Sequence, residues 1–181
     1  MKALIIVDLQ NDFCPGGALP APGGHTIVPL INTLMDNFDI VIASNDLHPQ
    51  HTQHFNKWPP HCIKNSKGAD FHPKLDTSKI HKVFIKGTGE IDDGYSAFEA
   101  TNEDLKQFLL KNKIDEVFVT GLTTEYCVKN TALDSIRNGF RTYIFKDAVA
   151  AVKPESENEM KAIKEMEEAG VTILRTDKEI K

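Results

Sequence analysis

Cys127 lies in a segment that suits a nucleophilic cysteine. The segment Gly121 to Val128 follows an apolar run and leads into helically spaced apolar residues, so the thiol falls in the first turn of a predicted helix. There the helix dipole favours a thiolate and is expected to lower the thiol pKa. The backbone N–H groups of Thr123 and Cys127 are candidate donors to the oxyanion that forms when a thiolate attacks a carbonyl. A free cysteine taken alone is more often a small buried apolar residue, which is what we expect of Cys14 and Cys62.

A carboxylate and an amine follow two other apolar runs. Asp8 follows Ala3 to Val7, and Lys86 follows Val83 to Ile85. In open α/β sheets, function gathers beyond the carboxyl ends of the strands, so these side chains are expected at one edge. A thiol with a proton acceptor and a charge partner forms a nucleophilic set. We therefore predict that Asp8, Lys86 and Cys127 meet in one active site.

A histidine-rich loop supplies candidate metal ligands. Asp46 and His48 are two residues apart, and His61 follows a turn stiffened by two prolines. One carboxylate and two imidazoles leave coordination positions open to water and substrate, and mixed N/O ligation suits Zn²⁺, Fe²⁺ or Mn²⁺. His54, from the same loop, is a further candidate ligand. Cys62 is left out because a thiolate would close the site. The remaining histidines singled out in this region are expected to be exposed loop residues: His51, His72 and His81.

The elements that must position these residues alternate between strand and helix. Buried strands are predicted at Ala3 to Val7, Ile40 to Ala43, Val83 to Ile85, Val117 to Thr120, Thr142 to Phe145 and Val171 to Leu174. Helical spacing is present around Ile27 to Leu34, Leu105 to Leu109, Val128 to Ile136 and Met160 to Met166. Asn102, Gly139 and Pro154 are expected to mark helix ends. This alternation predicts one α/β domain over residues 1–181: three αβα layers with a mainly parallel six-stranded sheet and Rossmann-like layering.

Composition and charge narrow the expected partners and cellular location of the protein. The formal net charge of −5, with no stripe of Lys and Arg, argues against nucleic acid and favours a small neutral substrate. The first apolar run ends at Asp8, too short for a signal peptide or a membrane span. Three cysteines without a disulfide framework suit a reducing compartment, so a cytoplasmic protein is expected. The sequence leaves open whether the chain forms a homo-oligomer.

Five ordered motifs resemble the nicotinamidases, a family within the isochorismatase-like cysteine hydrolases. Together they extend over most of the chain, and five motifs in order are far more specific than any one of them. The motifs are Ile6-Val-Asp-Leu-Gln-Asn-Asp-Phe13, Asn45-Asp-Leu-His-Pro49, Trp58-Pro-Pro-His-Cys62, Lys86-Gly87 with Asp93-Gly-Tyr-Ser-Ala-Phe98, and Gly121 to Val128.

The resemblance implies a role for each candidate residue. Asp8, Lys86 and Cys127 correspond to the catalytic triad. Asp46, His48 and His61 correspond to the ligands of one divalent metal, for which we expect Zn²⁺ first and Fe²⁺ or Mn²⁺ as alternatives. The resemblance further implies His54 as an additional ligand or water partner, Phe13, Trp58 and Tyr95 as the pyridine pocket, and a cis Leu122–Thr123 peptide before the oxyanion donor.

The implied reaction is hydrolysis of nicotinamide to nicotinate and ammonia through a thioester, a step of NAD salvage, with pyrazinamide as a second small amide. Three residues depart from the common pattern: Thr123 replaces alanine, Glu125 replaces aspartate and Leu47 replaces an aromatic residue. Because Thr123 and Glu125 lie near the nucleophile, they bear on which ring substituents fit.

Other functions remain open on the sequence alone. The nearest is a related cysteine amidohydrolase acting on another carboxamide or carbamoyl compound. A non-catalytic metal-binding or thiol redox module would leave Asp8 and Lys86 without a purpose, and a vinyl-ether hydrolase of isochorismate type needs neither the thiol nor the metal. A dinucleotide-binding protein is disfavoured because no G-x-G-x-x-G follows the first strand.

Overall fold

One parallel sheet organises the chain. The computed structural model describes residues 1–179, and its six strands lie in the order β3-β2-β1-β4-β5-β6. The strands are β1 (Lys2–Val7), β2 (Ile40–Asp46), β3 (Lys82–Lys86), β4 (Glu116–Leu122), β5 (Arg141–Ala150) and β6 (Thr172–Leu174). All five neighbouring pairs are parallel, which confirms the predicted sheet.

Helices cover both faces of this sheet. They are α1 (Ile27–Leu34), α2 (Leu105–Lys111), α3 (Lys129–Arg137), α4 (Glu157–Glu168) and a short α5 (Thr176–Glu179). Successive strand residues point to opposite faces, and β1 shows the consequence. Leu4 and Ile6 pack in one buried cluster with α1, whereas Ala3, Ile5 and Val7 pack in a second cluster with α2, α3 and α4. The predicted three layers are therefore present.

The helix ends differ in part from the sequence prediction. Gly139 follows α3 with φ of 90°, as expected of a glycine that closes a helix. The side chain that caps α2 is Asp104, which accepts from the Gln107 N–H, whereas Asn102 bonds to the backbone of β3. Pro154 precedes α4 and Ser156 caps it. Asn102 and Asp104 both carry a short polar side chain able to cap α2, so the sequence alone does not show which of the two is the cap.

The strand order places the candidate site at a topological switch point. The chain runs outward from β1 to β2 and β3, then returns to the other side of β1 with β4. The connections that follow β1 and β4 therefore lead toward opposite edges of the sheet, which opens a crevice at the carboxyl ends of the two strands in folds of this kind. Asp8 follows β1, and the turn containing Cys127 follows β4. The sheet therefore positions both residues at one crevice.

Among the helices within residues 1–179, none combines the length and apolar character that crossing a bilayer requires.

Candidate active site

A buried ammonium group joins the ends of three strands. Lys86 Nζ lies 2.7 Å from Asp8 Oδ2, 3.1 Å from Asp46 Oδ1 and 3.5 Å from Cys127 Sγ. The Lys86 and Asp8 side chains are both fully buried, and Ser44 Oγ donates a 2.6 Å hydrogen bond to Asp8 Oδ1. The structure thus brings together the thiol, carboxylate and amine predicted from sequence. Ser44 was missed, although a serine inside an apolar strand and close to Asp46 was a visible signal.

This setting shifts the pKa of each charged partner. Burial raises the pKa of Asp8 above the usual value for aspartate, against the opposing influence of Lys86. Burial alone would lower the pKa of Lys86, but the carboxylates of Asp46 and Asp8 raise it well above its ordinary value. The amine therefore stays protonated, and Asp8 is a better proton acceptor than an exposed carboxylate.

The pKa of Cys127 departs from the sequence prediction. The thiol does lie in a helical turn, the π-helical segment Thr124–Val128 that continues into α3. Its pKa is nevertheless raised well above the usual value, because burial and the carboxylates of Asp8 and Asp46 disfavour the thiolate more than Lys86 favours it. The expectation that the helix dipole lowers this pKa was wrong, since desolvation is the larger effect.

The turn before Cys127 has the backbone that the resemblance implies. The Leu122–Thr123 peptide is cis, and the Thr123 carbonyl accepts from the N–H groups of Tyr126 and Val128. Gly121, just before it, has φ of 102°, and a Cβ there would collide with the backbone of Val7. Only glycine lets β4 approach β1 this closely.

Four candidate ligands cluster beside the triad. The imidazoles of His48, His54 and His61 offer nitrogens that all lie within 4.8 Å of one another, and all three residues are buried. Asp46 Oδ2 lies 2.8 Å from His48 Nε2 and 3.7 Å from His61 Nε2. Burial would raise the pKa of Asp46, but Lys86 and the adjacent imidazoles of His48 and His61 hold it well below its usual value.

Backbone pairing holds the histidine loop against the sheet. The His48 N–H donates to the Cys62 carbonyl, and the Lys64 N–H donates back to the His48 carbonyl, so the two ligand segments run side by side. The Gln10 side chain joins them to the first strand: its amide donates to the carbonyls of Asp46 and Ala69 and accepts from the Asp46 N–H. The loop is thus anchored at both ligand positions.

The hydrogen bonds of the imidazoles fit a metal ion. His61 Nδ1 lies 2.7 Å from the Pro59 carbonyl and His54 Nδ1 lies 2.7 Å from Asp92 Oδ1, so both rings keep Nε2 free as a lone-pair donor. His48 is buried, and within residues 1–179 neither of its ring nitrogens makes a hydrogen bond of good geometry. An imidazole nitrogen 2.8 Å from a carboxylate without such geometry is typical of two ligands aimed at a common third atom. This donor set fits one divalent cation.

A second group of potential ligands does not fit a metal. Cys14, His25 and His72 offer ligand atoms within 4.8 Å of one another. However, His72 Nδ1 accepts from the Lys74 N–H, so Nε2 carries the proton, and that nitrogen lies 3.0 Å from His25 Nδ1. Burial raises the pKa of the Cys14 thiol to about 11. His72 is buried in this contact, so its prediction as an exposed loop histidine was wrong.

An aromatic cleft opens above the triad. About 400 Å³ of space, part of it open to solvent, lies among aromatic, apolar and ligand side chains. Phe13, Trp58 and Tyr95 line it, as do Cys127 and Thr123. Tyr126, which sequence reasoning did not single out, packs edge-on against Trp58 with ring centroids 4.8 Å apart. The cleft suits a flat aromatic ring with the thiol within reach.

Comparison with known proteins gives the family. The sequence model of the isochorismatase domain family matches residues 2–178. The chain belongs to the isochorismatase family. The nicotinamidase/pyrazinamidase of Mycobacterium tuberculosis, a member similar in sequence, is 40% identical over 96% of this chain and 98% of its own length. The family and fold predicted from the motifs are therefore confirmed.

Solved structures of similar fold also belong to proteins of this kind. Pyrazinamidase of Pyrococcus horikoshii in complex with zinc has a TM-score of 0.86 at 38% identity, covering 96% of this chain and 98% of that one. PnC1 from L. infantum in complex with nicotinate has a TM-score of 0.92 at 34% identity, covering 98% of this chain and 93% of that one. Isochorismatase-family members with this fold thus include a zinc complex and a nicotinate complex.

Two departures from the family pattern have a structural setting here. Glu125 accepts from the N–H groups of Val152 and Lys153 at 3.1 and 3.2 Å, so it ties the turn before Cys127 to the loop after β5. Val152 and Thr123 both line the cleft. In this member of the isochorismatase family, both residues therefore bear on the width of the cleft.

Proposed function

We propose that this chain is a nicotinamidase, which hydrolyses nicotinamide to nicotinate and ammonia in NAD salvage. One observation carries the proposal: at the floor of an aromatic cleft, Lys86 Nζ contacts the carboxylate of Asp8 and the thiol of Cys127, beside a buried imidazole cluster. The relative from Mycobacterium tuberculosis, named nicotinamidase/pyrazinamidase, supports nicotinamide and also pyrazinamide as substrates.

The cleft binds the ring of the substrate. Phe13, Trp58 and Tyr95 provide aromatic surface on which a pyridine or pyrazine ring packs. Cys127 lines the same cleft, so a ring that packs there can have its carboxamide at the thiol. Holding the two reactants in this orientation removes much of the entropic cost of their encounter.

Asp46, His48 and His61 are the proposed ligands of one divalent cation, with His54 as a fourth. We propose Zn²⁺, which mixed carboxylate and imidazole ligation accommodates and with which the pyrazinamidase of Pyrococcus horikoshii forms a complex. When bound, the ion would supply a Lewis acid for the ring nitrogen of the substrate, next to the thiol of Cys127. Lys86, in contact with Asp46 Oδ1, joins this site to the nucleophile.

Asp8 and Cys127 carry out the acylation. As the sulfur bonds to the amide carbon, its proton passes to Asp8, whose raised pKa suits a base. The backbone N–H groups of Thr123 and Cys127 hold the oxyanion. When the intermediate collapses, the C–N bond breaks and Asp8 returns the proton to the departing nitrogen. Ammonia is released, and the acyl group remains on Cys127 as a thioester.

Water then completes the reaction. Asp8, again ionised, takes a proton from water as its oxygen bonds to the thioester carbon. The C–S bond breaks, the sulfur regains a proton from Asp8, and the acid that forms gives its own proton to solvent and leaves as nicotinate. Lys86 remains protonated throughout, because its pKa is raised well above the ordinary value, and it balances the charge on Asp8.

Substitution of the nucleophile tests this proposal. Cys127→Ala and Cys127→Ser should lower ammonia release from nicotinamide by at least about 10³-fold, because without the thiol no thioester forms. Cys14→Ala is the matched control: it removes another free thiol, one that lies outside the triad, and should keep most of the activity. Ammonia release by Cys127→Ala at the rate of the unmodified chain would refute the proposal.

A further inference from the structure

Asp92 lies where the imidazole cluster and the aromatic wall meet. Its Oδ1 atom is 2.7 Å from His54 Nδ1 and accepts a 2.6 Å hydrogen bond from the Tyr95 hydroxyl. Its other oxygen lies 3.1 Å from Lys57 Nζ. One carboxylate oxygen therefore serves a candidate metal ligand and a substrate-pocket residue together. No role for Asp92 follows from the triad or from the candidate ligands themselves.

The shared oxygen fixes the direction of both hydrogen bonds. An ionised carboxylate only accepts, so His54 Nδ1 must carry the proton and Nε2 must present its lone pair. The hydrogen bond from the Tyr95 hydroxyl and the ion pair with Lys57 both favour the ionised form of this carboxylate. The free nitrogen of His54 belongs to the group it forms with His48 and His61.

The second hydrogen bond extends the chain to the cleft. The Tyr95 hydroxyl donates to Asp92 and accepts a 2.9 Å hydrogen bond from Trp58 Nε1. His54, Asp92, Tyr95 and Trp58 thus form one continuous series of hydrogen bonds. The series runs from the imidazole cluster to two of the aromatic rings that line the pocket.

We propose that Asp92 is a positioning residue through which metal occupancy sets the conformation of the Trp58–Tyr95 wall. The inference rests on the metal site of the proposed function. A cation on His54 Nε2 withdraws electron density from the ring, so its Nδ1–H becomes a stronger donor to Asp92 Oδ1. The carboxylate is then held more firmly, and so are the hydroxyl of Tyr95 and the indole of Trp58. By thermodynamic linkage, a Trp58–Tyr95 wall that is already ordered raises the affinity of the site for the cation.

The chain offers a direct readout of this coupling. Trp58 is its single tryptophan, so intrinsic indole fluorescence reports on one wall of the pocket. Zn²⁺ has a filled d shell and no redox chemistry, so a change in emission on zinc binding reports on the surroundings of the indole. Both quantities, zinc affinity and Trp58 emission, are measured without substrate.

Three variants separate the steps. Asp92→Asn keeps the shape but removes the charge, and it should weaken zinc binding by about 10–100-fold and abolish the emission change even at saturating zinc. Tyr95→Phe breaks only the distal hydrogen bonds, so zinc affinity should stay within about twofold of the unmodified chain while the emission change is lost. Glu90→Gln is the control: it removes one charge from the same loop, and the Glu90 side chain makes no hydrogen bond or ion pair among residues 1–179. This variant should change neither the zinc affinity nor the change in Trp58 emission.

Zinc binding is measured by competition with a chromophoric chelator, and Asp46→Asn gives the baseline for zinc bound elsewhere. The proposal is overturned if zinc leaves the emission of the unmodified chain unchanged, or if Asp92→Asn binds zinc within about twofold of Glu90→Gln. Zinc binding no greater than that of Asp46→Asn would overturn the metal site and this inference together. Zinc coupling without ammonia release from nicotinamide would support the inference and reject the proposed function.

Discussion

At the scale of single residues, the site depends on one ammonium group that pairs with two buried carboxylates. Lys86 contacts both Asp8 and Asp46, and its own side chain is fully buried. Isolated charges in such a place would be strongly disfavoured, but together they leave Asp8 as a base of raised pKa beside a neutral thiol. In the proposed mechanism, proton transfer from Cys127 to Asp8 is therefore coupled to attack and does not precede it.

The pH dependence of alkylation tests this resting state. With its pKa raised well above 9.0, the Cys127 thiol should react with iodoacetamide at a rate that grows about tenfold per pH unit up to pH 9, because only the thiolate reacts. The measurement uses metal-free protein and mass spectrometry of the peptide that contains Cys127. A plateau below pH 8 would mean that a thiolate already exists in the free protein.

The sequence predicted that Asp8, Lys86 and Cys127 meet, because each follows a separate apolar run at a strand end. Ser44 and Asp92 could not be found in this way. Their roles arise from tertiary contacts, to Asp8 in one case and to His54 and Tyr95 in the other. The thiol pKa was mispredicted for the same reason: the helical turn is local, whereas the desolvation that outweighs it comes from the whole surrounding fold.

At the scale of elements, the carboxyl ends of the strands position the candidate metal ligands. Asp46 ends β2 and pairs in register with Lys86, which ends β3. The chain turns away at Gly87, where φ is 69°, and a Cβ there would collide with Asp46 Oδ1 and crowd His48. Glycine is required at this turn both for its backbone conformation and for the space its neighbours occupy.

Gly87→Ala should therefore disrupt the ligand set. We expect zinc affinity to fall by more than about 10-fold, because the new methyl group displaces the side chains of Asp46 and His48. Gly139→Ala is the matched control: its φ of 90° is similarly strained, but nothing lies within 4 Å of the added Cβ. That variant should lose roughly 1 kcal/mol of unfolding free energy and keep its zinc affinity. Equal zinc affinity in the two variants would contradict this role of Gly87.

At the scale of the molecule, the sheet and the histidine-rich loop contribute side chains to one site. Asp46 belongs to a strand, whereas His48, His54 and His61 belong to the long loop that follows it. Alternation of strands and helices predicted the three layers from sequence, since each apolar run buries on both faces. It could not predict how the loop folds back, because that depends on contacts such as those of Gln10 with Asp46 and Ala69.

A cation that joins loop and sheet should stabilise the folded chain. At free zinc about 100-fold above the dissociation constant, linkage predicts about 2.7 kcal/mol of added stability, which corresponds to a rise in Tm of roughly 5–10 °C. Thermal unfolding with zinc and with chelator measures the shift. Asp46→Asn should abolish most of the shift. A Tm that zinc leaves unchanged would contradict a metal site that bridges loop and sheet.

The central claim is that Cys127 becomes acylated during turnover, and trapping that intermediate tests it most directly. Protein quenched in acid during nicotinamide hydrolysis should show an added mass of one nicotinoyl group, mapped to the peptide that contains Cys127 and lost on treatment with hydroxylamine. Cys127→Ala should show no such mass, and Cys14→Ala should show it in full. The contradictory result would be steady ammonia release by the original chain while Cys127 carries no added mass in any quenched sample, taken before or during the steady state. The acyl group would then be found on another residue.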